Sequence, residues 1–287
     1  MTEPVANASD LKTNGWELQL GWRDTFDNGL RYSIVANLSD SKTVVTDYDN
    51  PNKVFSDYYV GQTVGDIWGF KTVGIFQSDE EAAAAPDQKA LIGKEMKAGD
   101  LQYEDVDGDG VISFGSKTLD DHGDMVILGN TRPRYSYSVN CSLEYKGWDF
   151  NLMLQGVGKR SVVNNHEYVI YGSTWTIPWD VSKDYWTPDN TDAHLPRIHP
   201  DMNYADFGAF DRIVWNISYL RVKNIAIGYT IPQRLTKRAG IANLRIYFSG
   251  DNLLTFKKCI KYFDPEMAYQ NSIPFMRSCS FGINLTL

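Results

Sequence analysis

Cysteine, basic charge and long apolar runs are all scarce in this chain of 287 residues. Its three cysteines, Cys141, Cys259 and Cys279, form no CxxC pair, and their odd number argues against a disulfide framework. Lysine and arginine total 28 against 36 aspartates and glutamates, giving a net charge of −8. No basic stripe is therefore available for a nucleic-acid backbone, and a nucleic-acid partner is not expected.

Signals for membrane helices, secretion and catalysis are absent as well. No segment approaches the ~18 consecutive apolar residues of a membrane-spanning helix. The first residues, MTEPVANASD, contain no apolar core of a secretion signal, which taken literally predicts a soluble cytoplasmic chain. That prediction fails if the chain is a fragment. No Ser-His-Asp or Cys-His order stands out and no acid/base pair can be named, so we expect no enzyme.

Aromatic residues and glycine are plentiful, with 17 tyrosines, 8 tryptophans and 23 glycines, a mixture that favours strands and turns over helices. Apolar and polar residues alternate along several segments, which is typical of strands with one apolar and one polar face. These segments predict three hairpins and a final strand. They cover 16–22 and 30–38, 135–145 and 148–154, 225–231 and 244–248, and 279–287.

The connections between these seven predicted strands differ greatly in length. Within the hairpins they are short, and the first contains Asn28 and Gly29, a strong hairpin signal. Between the hairpins they are long, comprising 46–132, 159–216 and 257–274. Alternate connections of an antiparallel meander lie at the same end, so all the long loops are predicted on one side, as in an outer-membrane β-barrel. A soluble β-sandwich alternates similarly, so periodicity alone leaves both architectures open.

The segment YEDVDGDGVIS, residues 103–113, resembles the first half of a calcium loop. Carboxylates at positions 1, 3 and 5, glycine at 6 and a backbone carbonyl at 7 suit the oxygen preference of Ca²⁺. These positions are Asp105, Asp107, Asp109, Gly110 and Val111, and Ser113 falls at the water-holding ninth position.

The second half of the calcium pattern is missing, because Ser116 occupies the position where an EF-hand has glutamate. No helical apolar period follows, so an EF-hand sensor is not expected. A single calcium clip completed by Asp120 or Asp121 is one interpretation. The other is a cluster of Asp/Gly turns that binds nothing, because tight turns select the same residues.

The second long loop contains two further groups of residues. Trp175, Trp179 and Trp186 offer aromatic faces to a sugar ring or a peptide, or else pack the loop onto itself or onto a partner. His194 and His199 do not follow a recognised metal-ligand spacing, and we expect them to be solvated.

Seven stretches that cover most of the chain carry a family resemblance. They are KTNGWELQLGWRD (12–24), VGQTVGDIWGFKTVGIFQ (60–77), GDLQYEDVDGDGVIS (99–113), LGNTRPRYSYSVNCSLEYKGWDFNLMLQGVGKR (128–160), DYWTPDNTDAHLPRI (184–198), SYLRVKNIAIGYTIP (218–232) and LRIYFSGDNLLTF (244–256). In this order they resemble the C-terminal part of the SusC/RagA-type family of TonB-dependent outer-membrane transporters, known from Bacteroidetes.

The resemblance implies an all-β fold, in which antiparallel up-and-down strands form the C-terminal portion of a transmembrane β-barrel with long extracellular loops. The plug domain, the TonB box and the signal peptide would lie upstream, in a full-length protein of the outer membrane. It also implies uptake of an oligosaccharide or peptide, a SusD-like surface lipoprotein as partner, energy from a TonB complex and contact with membrane lipid. The aspartate loop would then be an extracellular calcium clip.

A second hypothesis, from another class of protein, is a secreted, calcium-stabilised β-sandwich that binds carbohydrate through Trp175, Trp179 and Trp186. It predicts that the apolar strand faces point into one core, with Tyr135, Leu143 and Leu152 buried.

Overall fold

The computed structural model of the chain describes residues 9–164, 183–199, 208–259, 263–267 and 275–287. The fold divides into two compact units. Unit 1 comprises Met1–Asn14, Lys42–Arg132 and Ser161–Asn216, and unit 2 comprises Gly15–Ser41, Pro133–Arg160 and Ile217–Leu287. The two units place their apolar side chains in different ways.

All seven strands predicted from alternation are present. They are β1 (Ser9–Thr25), β2 (Arg31–Tyr48), β7 (Arg134–Tyr145), β8 (Trp148–Lys159), β12 (Tyr219–Thr230), β13 (Asn243–Lys257) and β14 (Ser278–Thr286). They form one seven-stranded sheet in that order, and neighbouring strands from β2 to β14 are antiparallel. The predicted all-β class with antiparallel up-and-down strands is therefore confirmed.

Tight turns join the hairpins of this sheet where the sequence predicted them. Gly29 has φ of +87° and donates its N–H to the carbonyl of Phe26 at 2.8 Å. Lys146 and Gly147 both have positive φ, 48° and 89°, as a two-residue turn between twisted strands requires. The longer turn between β12 and β13 contains the short helix α3 (Gln233–Thr236) and a 3₁₀ turn (Lys237–Ala239).

The register places apolar residues of neighbouring strands directly opposite one another on one face of the sheet. One row crosses six strands through Tyr32, Leu143, Phe150, Ile227, Phe248 and Phe281. The next residue on each strand belongs to a row on the opposite face, namely Ser33, Ser142, Asn151, Ala226, Ser249 and Ser280. The sheet thus has one apolar face and one polar face, as the alternation predicted.

The apolar face remains accessible in the structure. Tyr135 is 46% exposed, Leu143 is 41% exposed and Leu152 is half-buried. The β-sandwich hypothesis required these three side chains to lie in one core, so the exposure of the face counts against it.

Unit 1 contains short elements that alternation did not predict. They are β3 (Asp66–Phe70), β4 (Thr72–Ile75), α1 (Asp79–Ala84), α2 (Lys89–Ile92), β5 (Leu101–Tyr103), β6 (Met125–Asn130), β9 (Ser161–Val163), β10 (Ala209–Phe210), a 3₁₀ turn (Asp211–Ile213) and β11 (Val214–Asn216). The strands pair as β10-β3-β6, β11-β9 and β4-β5. Within the described ranges, every helix is too short or too polar to cross a lipid bilayer.

A hydrophobic core holds these short elements together. Its buried members come from both of the first two long connections, and they are Phe70, Ile75, Leu91, Ile92, Leu101, Tyr103, Ile112, Trp186, Ala193, Phe210 and Ile213. Ser78 caps α1 by accepting a hydrogen bond from the backbone N–H of Glu81. Segments 46–132 and 159–216 are therefore folded around a core rather than irregular over their described residues, and their extracellular position stays a prediction.

Candidate functional site

The aspartate loop, residues 105–113, brings three carboxylates together. Oxygens of Asp105, Asp107 and Asp109 lie within 4.8 Å of one another. The loop turns sharply because Gly108 and Gly110 adopt φ of +77° and +86°, a region that favours glycine. Both glycine N–H groups donate to the Asp105 carboxylate, at 2.7 and 3.0 Å. Side-chain oxygens therefore point into the turn, as in a cation loop or an Asx turn.

The other two predicted ligands lie in a hydrogen-bonded frame beside this group. Val111 donates its N–H to Asp109 at 2.7 Å and pairs with Asp87 in a parallel bridge. Ser113 donates its N–H to Asp124, and its hydroxyl accepts from the Gly115 N–H at 3.1 Å. The Ser113 hydroxyl is thus engaged in the next turn.

The two candidate late ligands are engaged elsewhere. Asp121 accepts hydrogen bonds from the backbone N–H and the hydroxyl of Ser116, and the hydroxyl bond holds the pKa of this carboxyl below its usual value. Asp120 lies 3.8 Å from the ammonium of Lys53. Among the described residues, the converging carboxylates in this region are the three of the aspartate loop.

Asp124 closes the aspartate loop, and sequence reasoning missed it. Its side chain is fully buried and accepts the N–H of Val106 at 2.7 Å and the N–H of Ser113 at 2.8 Å. One carboxylate thus joins the two ends of the loop. The sequence offered no signal for this role, because Asp124 belongs to no motif and follows two other acidic candidates.

The predicted aromatic and histidine candidates lie in different surroundings. Trp186 is buried in the unit 1 core and donates its indole N–H to Gln77 at 3.3 Å, so its ring presents no free face to a ligand. Trp175 and Trp179 lie outside the described residues. The expectation of solvated histidines was wrong for His199, because its side chain is largely buried and contacts Asp100 at 2.6 Å.

Asp100 ties two parts of unit 1 together. It is fully buried and accepts hydrogen bonds from the guanidinium of Arg197 at 2.7 and 3.1 Å. Arg197 also donates its backbone N–H to Gly99 at 2.8 Å. Both carboxylate oxygens of Asp100 accept hydrogen bonds from Arg197, as a buried carboxylate requires.

The polar face of the sheet is a second candidate surface. Its middle carries hydroxyl and amide side chains, including Ser33, Asn140 and Asn151 beside a cavity of about 400 Å³. Near the short turns, Arg245 forms a bidentate ion pair with Asp149 at 2.6 and 2.8 Å. A hydroxyl, amide and ion-pair surface suits contact with water or a polar solute rather than with lipid.

Comparisons with known proteins agree with this fold. No family model matches the chain. The chain is 25% identical to TonB-dependent receptor P3 of Formosa agariphila over 99% of its own length and 30% of that protein. It is 26% identical to TonB-dependent receptor P26 of the same organism over 98% of its own length and 30% of that protein. The chain therefore spans about 30% of the length of the curated relatives it matches.

Solved structures agree as well. The structure of the RagAB peptide transporter superposes with a TM-score of 0.71 at 20% identity, over 97% of this chain and 30% of that chain. The RagAB peptide importer in its open-open state gives a TM-score of 0.67 at 19% identity, over 97% of this chain and 29% of that chain. The predicted resemblance to TonB-dependent receptors is confirmed, and the open sheet has the fold of part of such a barrel. The names of receptors and transporters also agree with the prediction that the chain is not an enzyme.

Proposed function

We propose that this chain is the C-terminal segment of a TonB-dependent outer-membrane transporter of the SusC/RagA type. The observation that carries the proposal is the open sheet with one exposed apolar face. An apolar surface that crosses six strands is unfavourable in water, whereas lipid is a suitable environment for it. Transporters of this kind close their barrels with about 22 strands, so seven strands supply a part of the wall.

The two faces of the sheet then have separate roles. The apolar face contacts lipid, and the polar face lines the interior through which the nutrient passes. The plug and the segment that contacts the TonB complex belong to parts of the protein outside these residues. Capture at the extracellular side followed by rearrangement of the plug is the mechanism that the family resemblance implies.

Unit 1 is proposed as the extracellular part of the segment and as the docking place of a SusD-like surface lipoprotein. Its buried core supports this proposal, because a folded unit presents a defined surface and an irregular loop does not. The nutrient is an oligosaccharide or a peptide. The structures named as RagAB peptide transporters favour peptide, and Trp175 and Trp179 remain candidates for sugar contacts.

The aspartate loop is proposed to bind Ca²⁺ and to order this extracellular unit. Three carboxylates in close proximity repel one another, and a hard divalent cation with oxygen ligands relieves that repulsion. Because neither Asp120 nor Asp121 joins the group, water and backbone oxygens must supply the remaining ligands, and we expect millimolar to sub-millimolar affinity.

Fractionation and uptake in the native cell test the proposed function. An antibody against 42–132 should detect the protein in the outer-membrane fraction of a density gradient, and protease added to intact cells should remove the epitope. Deletion of the gene should slow growth on one class of oligosaccharide or peptide as sole carbon source, and the intact gene should restore it. Recovery of the protein in the soluble fraction would contradict the proposal.

A further inference from the structure

One extra residue, Lys223, interrupts the regular pairing in the N-terminal part of β12. Val222 lies opposite Leu154 of β8 and Asn224 lies opposite Met153, so Lys223 has no partner of its own in that register. The pairing of β12 with β13 shifts at the same point. Such a bulge re-aims the side chains that follow it.

The bulge changes which face Arg221 occupies. Ile225 and Ile227 lie in the apolar rows, opposite Leu152 and Phe150. Strict alternation from these residues would place Arg221 on the apolar face. With the extra residue, Val222 continues the apolar face and Arg221 lies opposite Gln155 and Thr255 on the polar face.

On the polar face, Arg221 and Lys223 form a four-charge cluster with Asp264 and Glu266. Arg221 contacts Asp264 at 2.7 Å and Glu266 at 2.8 Å, and Lys223 contacts Glu266 at 3.0 Å. The side chains of Arg221, Asp264 and Glu266 are 3%, 7% and 14% exposed, so these charges are largely removed from water. Each of the two carboxylates has a cationic partner, which buried charges require.

The carboxylates of this cluster belong to a short segment outside the sheet, residues 263–267, which we call the strap. Asp264 also accepts the N–H of Glu266 at 3.0 Å and the N–H of Phe275 at 3.2 Å. Burial acts to raise the pKa of Asp264, but these N–H groups and the Arg221 guanidinium outweigh it and lower the pKa. The Phe275 ring lies 4.6 Å from the Lys223 ammonium and 5.5 Å from the Arg221 guanidinium.

We propose that Arg221 is a positioning residue that holds the strap across the polar face, at the end of β12 away from the short turns, and that the strap narrows the entrance to the barrel interior. The inference rests on the proposed function, since it assigns the polar face to the nutrient path. The Lys257 ammonium and the Cys259 thiol also contact the strap, at the Phe263 carbonyl, but Arg221 is the side chain that contacts both strap carboxylates.

Cys259 provides a built-in reporter of strap position. Its thiol is half-buried, its Sγ lies 3.7 Å from the Phe263 carbonyl, and burial raises its pKa. Replacing Cys141 and Cys279 by alanine leaves Cys259 as the one thiol among these 287 residues. A membrane-impermeant maleimide applied to intact cells should then label Cys259 slowly while the strap is held.

The test compares labelling of Cys259 in four variants of the full protein in its own membrane. Arg221→Gln and Glu266→Gln should each raise the labelling rate on the order of tenfold, because each leaves buried charges unpaired. Arg221→Lys, which keeps the charge but has one nitrogen in place of the guanidinium fork, should lie between the unsubstituted protein and Arg221→Gln. Arg245→Gln, which removes an ion pair of the polar face near the short turns, should leave the rate unchanged.

Each outcome decides the inference. Unchanged labelling in both Arg221→Gln and Glu266→Gln would overturn it, as would an equal increase in Arg245→Gln. Glu266→Gln leaves the strands intact, so it remains informative if Arg221→Gln fails to assemble. In cells, Arg221→Gln should change the half-saturating nutrient concentration more than the maximal uptake rate, and Arg221→Lys should change that concentration by less than Arg221→Gln does. Absence of any gene-dependent uptake would contradict the proposed function instead, while the labelling result still decides the position of the strap.

Discussion

In unit 1, Phe70, Leu101 and Phe210 are almost completely buried, whereas Phe281, Trp22 and Leu20 on the sheet of unit 2 leave most of their surface exposed. Both units are rich in apolar side chains, but unit 1 gathers its own into a core and unit 2 spreads its own over one face of a sheet. Under the proposed function the two units meet different solvents: the core of unit 1 is the arrangement that water favours, and the exposed apolar face of unit 2 is the arrangement that lipid favours.

The two units also place their polar side chains differently. In unit 1, buried carboxylates such as Asp100 and Asp124 accept several hydrogen bonds within the folded loops. In unit 2, hydroxyl and amide side chains are gathered on one face, and the bulge at Lys223 keeps Arg221 off the apolar face. Position on the sheet, rather than depth in a core, therefore decides where polar residues are tolerated in unit 2.

The largest expected effect is the loss of a core aromatic ring from unit 1. Phe70→Ala removes a side chain that is 1% exposed and packs against Tyr103 and Phe114, with ring centroids 5.4 and 5.1 Å away. We expect unit 1 to lose about 3–5 kcal/mol of stability. Hydrogen exchange of the detergent-purified protein measures this loss, read by mass spectrometry in peptides that contain residues 101–103.

The matched substitution in unit 2 is Phe281→Ala. Phe281 is 84% exposed and contacts Phe248 at 5.1 Å. We expect a loss of at most about 1.5 kcal/mol, the size of an aromatic pair term. A loss as large as that of Phe70→Ala would show that other protein side chains pack over Phe281 as in a core, and the contrast between the units would fail.

The next effect distinguishes the two faces of the sheet. Leu152 and Asn151 are neighbours on β8, and their side chains lie on opposite faces. In lipid vesicles, Leu152→Arg should destabilise the folded protein by about 2–4 kcal/mol, because a charge on the lipid face near the middle of a span is costly. Asn151→Arg should have little effect, since the polar face is hydrated. Equal effects in folding titrations would argue against a membrane orientation of the sheet.

The sequence predicted unit 2 far better than unit 1, for a physical reason. A strand with one apolar face alternates with a period of two, and lengths of 9 to 18 residues make that period visible in all seven strands of the sheet. The strands of unit 1 have two to six residues. β3, with the sequence DIWGF, has buried residues that do not alternate strictly, so no period marks it.

Two features of the candidate sites could not be predicted from the sequence. The bulge at Lys223 shifts the phase of alternation, so Arg221 and Lys223 break the pattern that Ile225 and Ile227 establish. Asp124 acts by joining residues at both ends of the aspartate loop, and such a contact depends on the path of the chain rather than on spacing. The convergence of the three aspartates was predictable, because their alternate spacing and the glycines between and after them are visible in the sequence.

A smaller effect is expected from Asp124→Asn in unit 1. Both carboxylate oxygens accept backbone N–H groups, and asparagine replaces one acceptor with a donor that faces an N–H. We expect the aspartate loop to lose about 1–3 kcal/mol against local opening, seen as faster hydrogen exchange at 106–113. Asp120→Asn is the control, because Asp120 is largely exposed and pairs at 3.8 Å with Lys53. If both variants exchange alike, the buried carboxylate does not close the loop.

The smallest expected effect is the response of unit 1 to calcium. A ligand at ten times its Kd stabilises the state that binds it by about 1.4 kcal/mol, and the three aspartates lie on a loop that unit 2 does not contain. Calcium should therefore slow exchange at 105–113 and leave the strands of the sheet unchanged. Asp107→Asn should weaken binding in calorimetric titration by removing one ligand and one charge, whereas Asp120→Asn should not. Titration without heat, and without protection of the loop, at several millimolar Ca²⁺ would leave the aspartates with a turn-forming role, in which their carboxylates accept the backbone N–H groups of Gly108, Asp109, Gly110 and Val111.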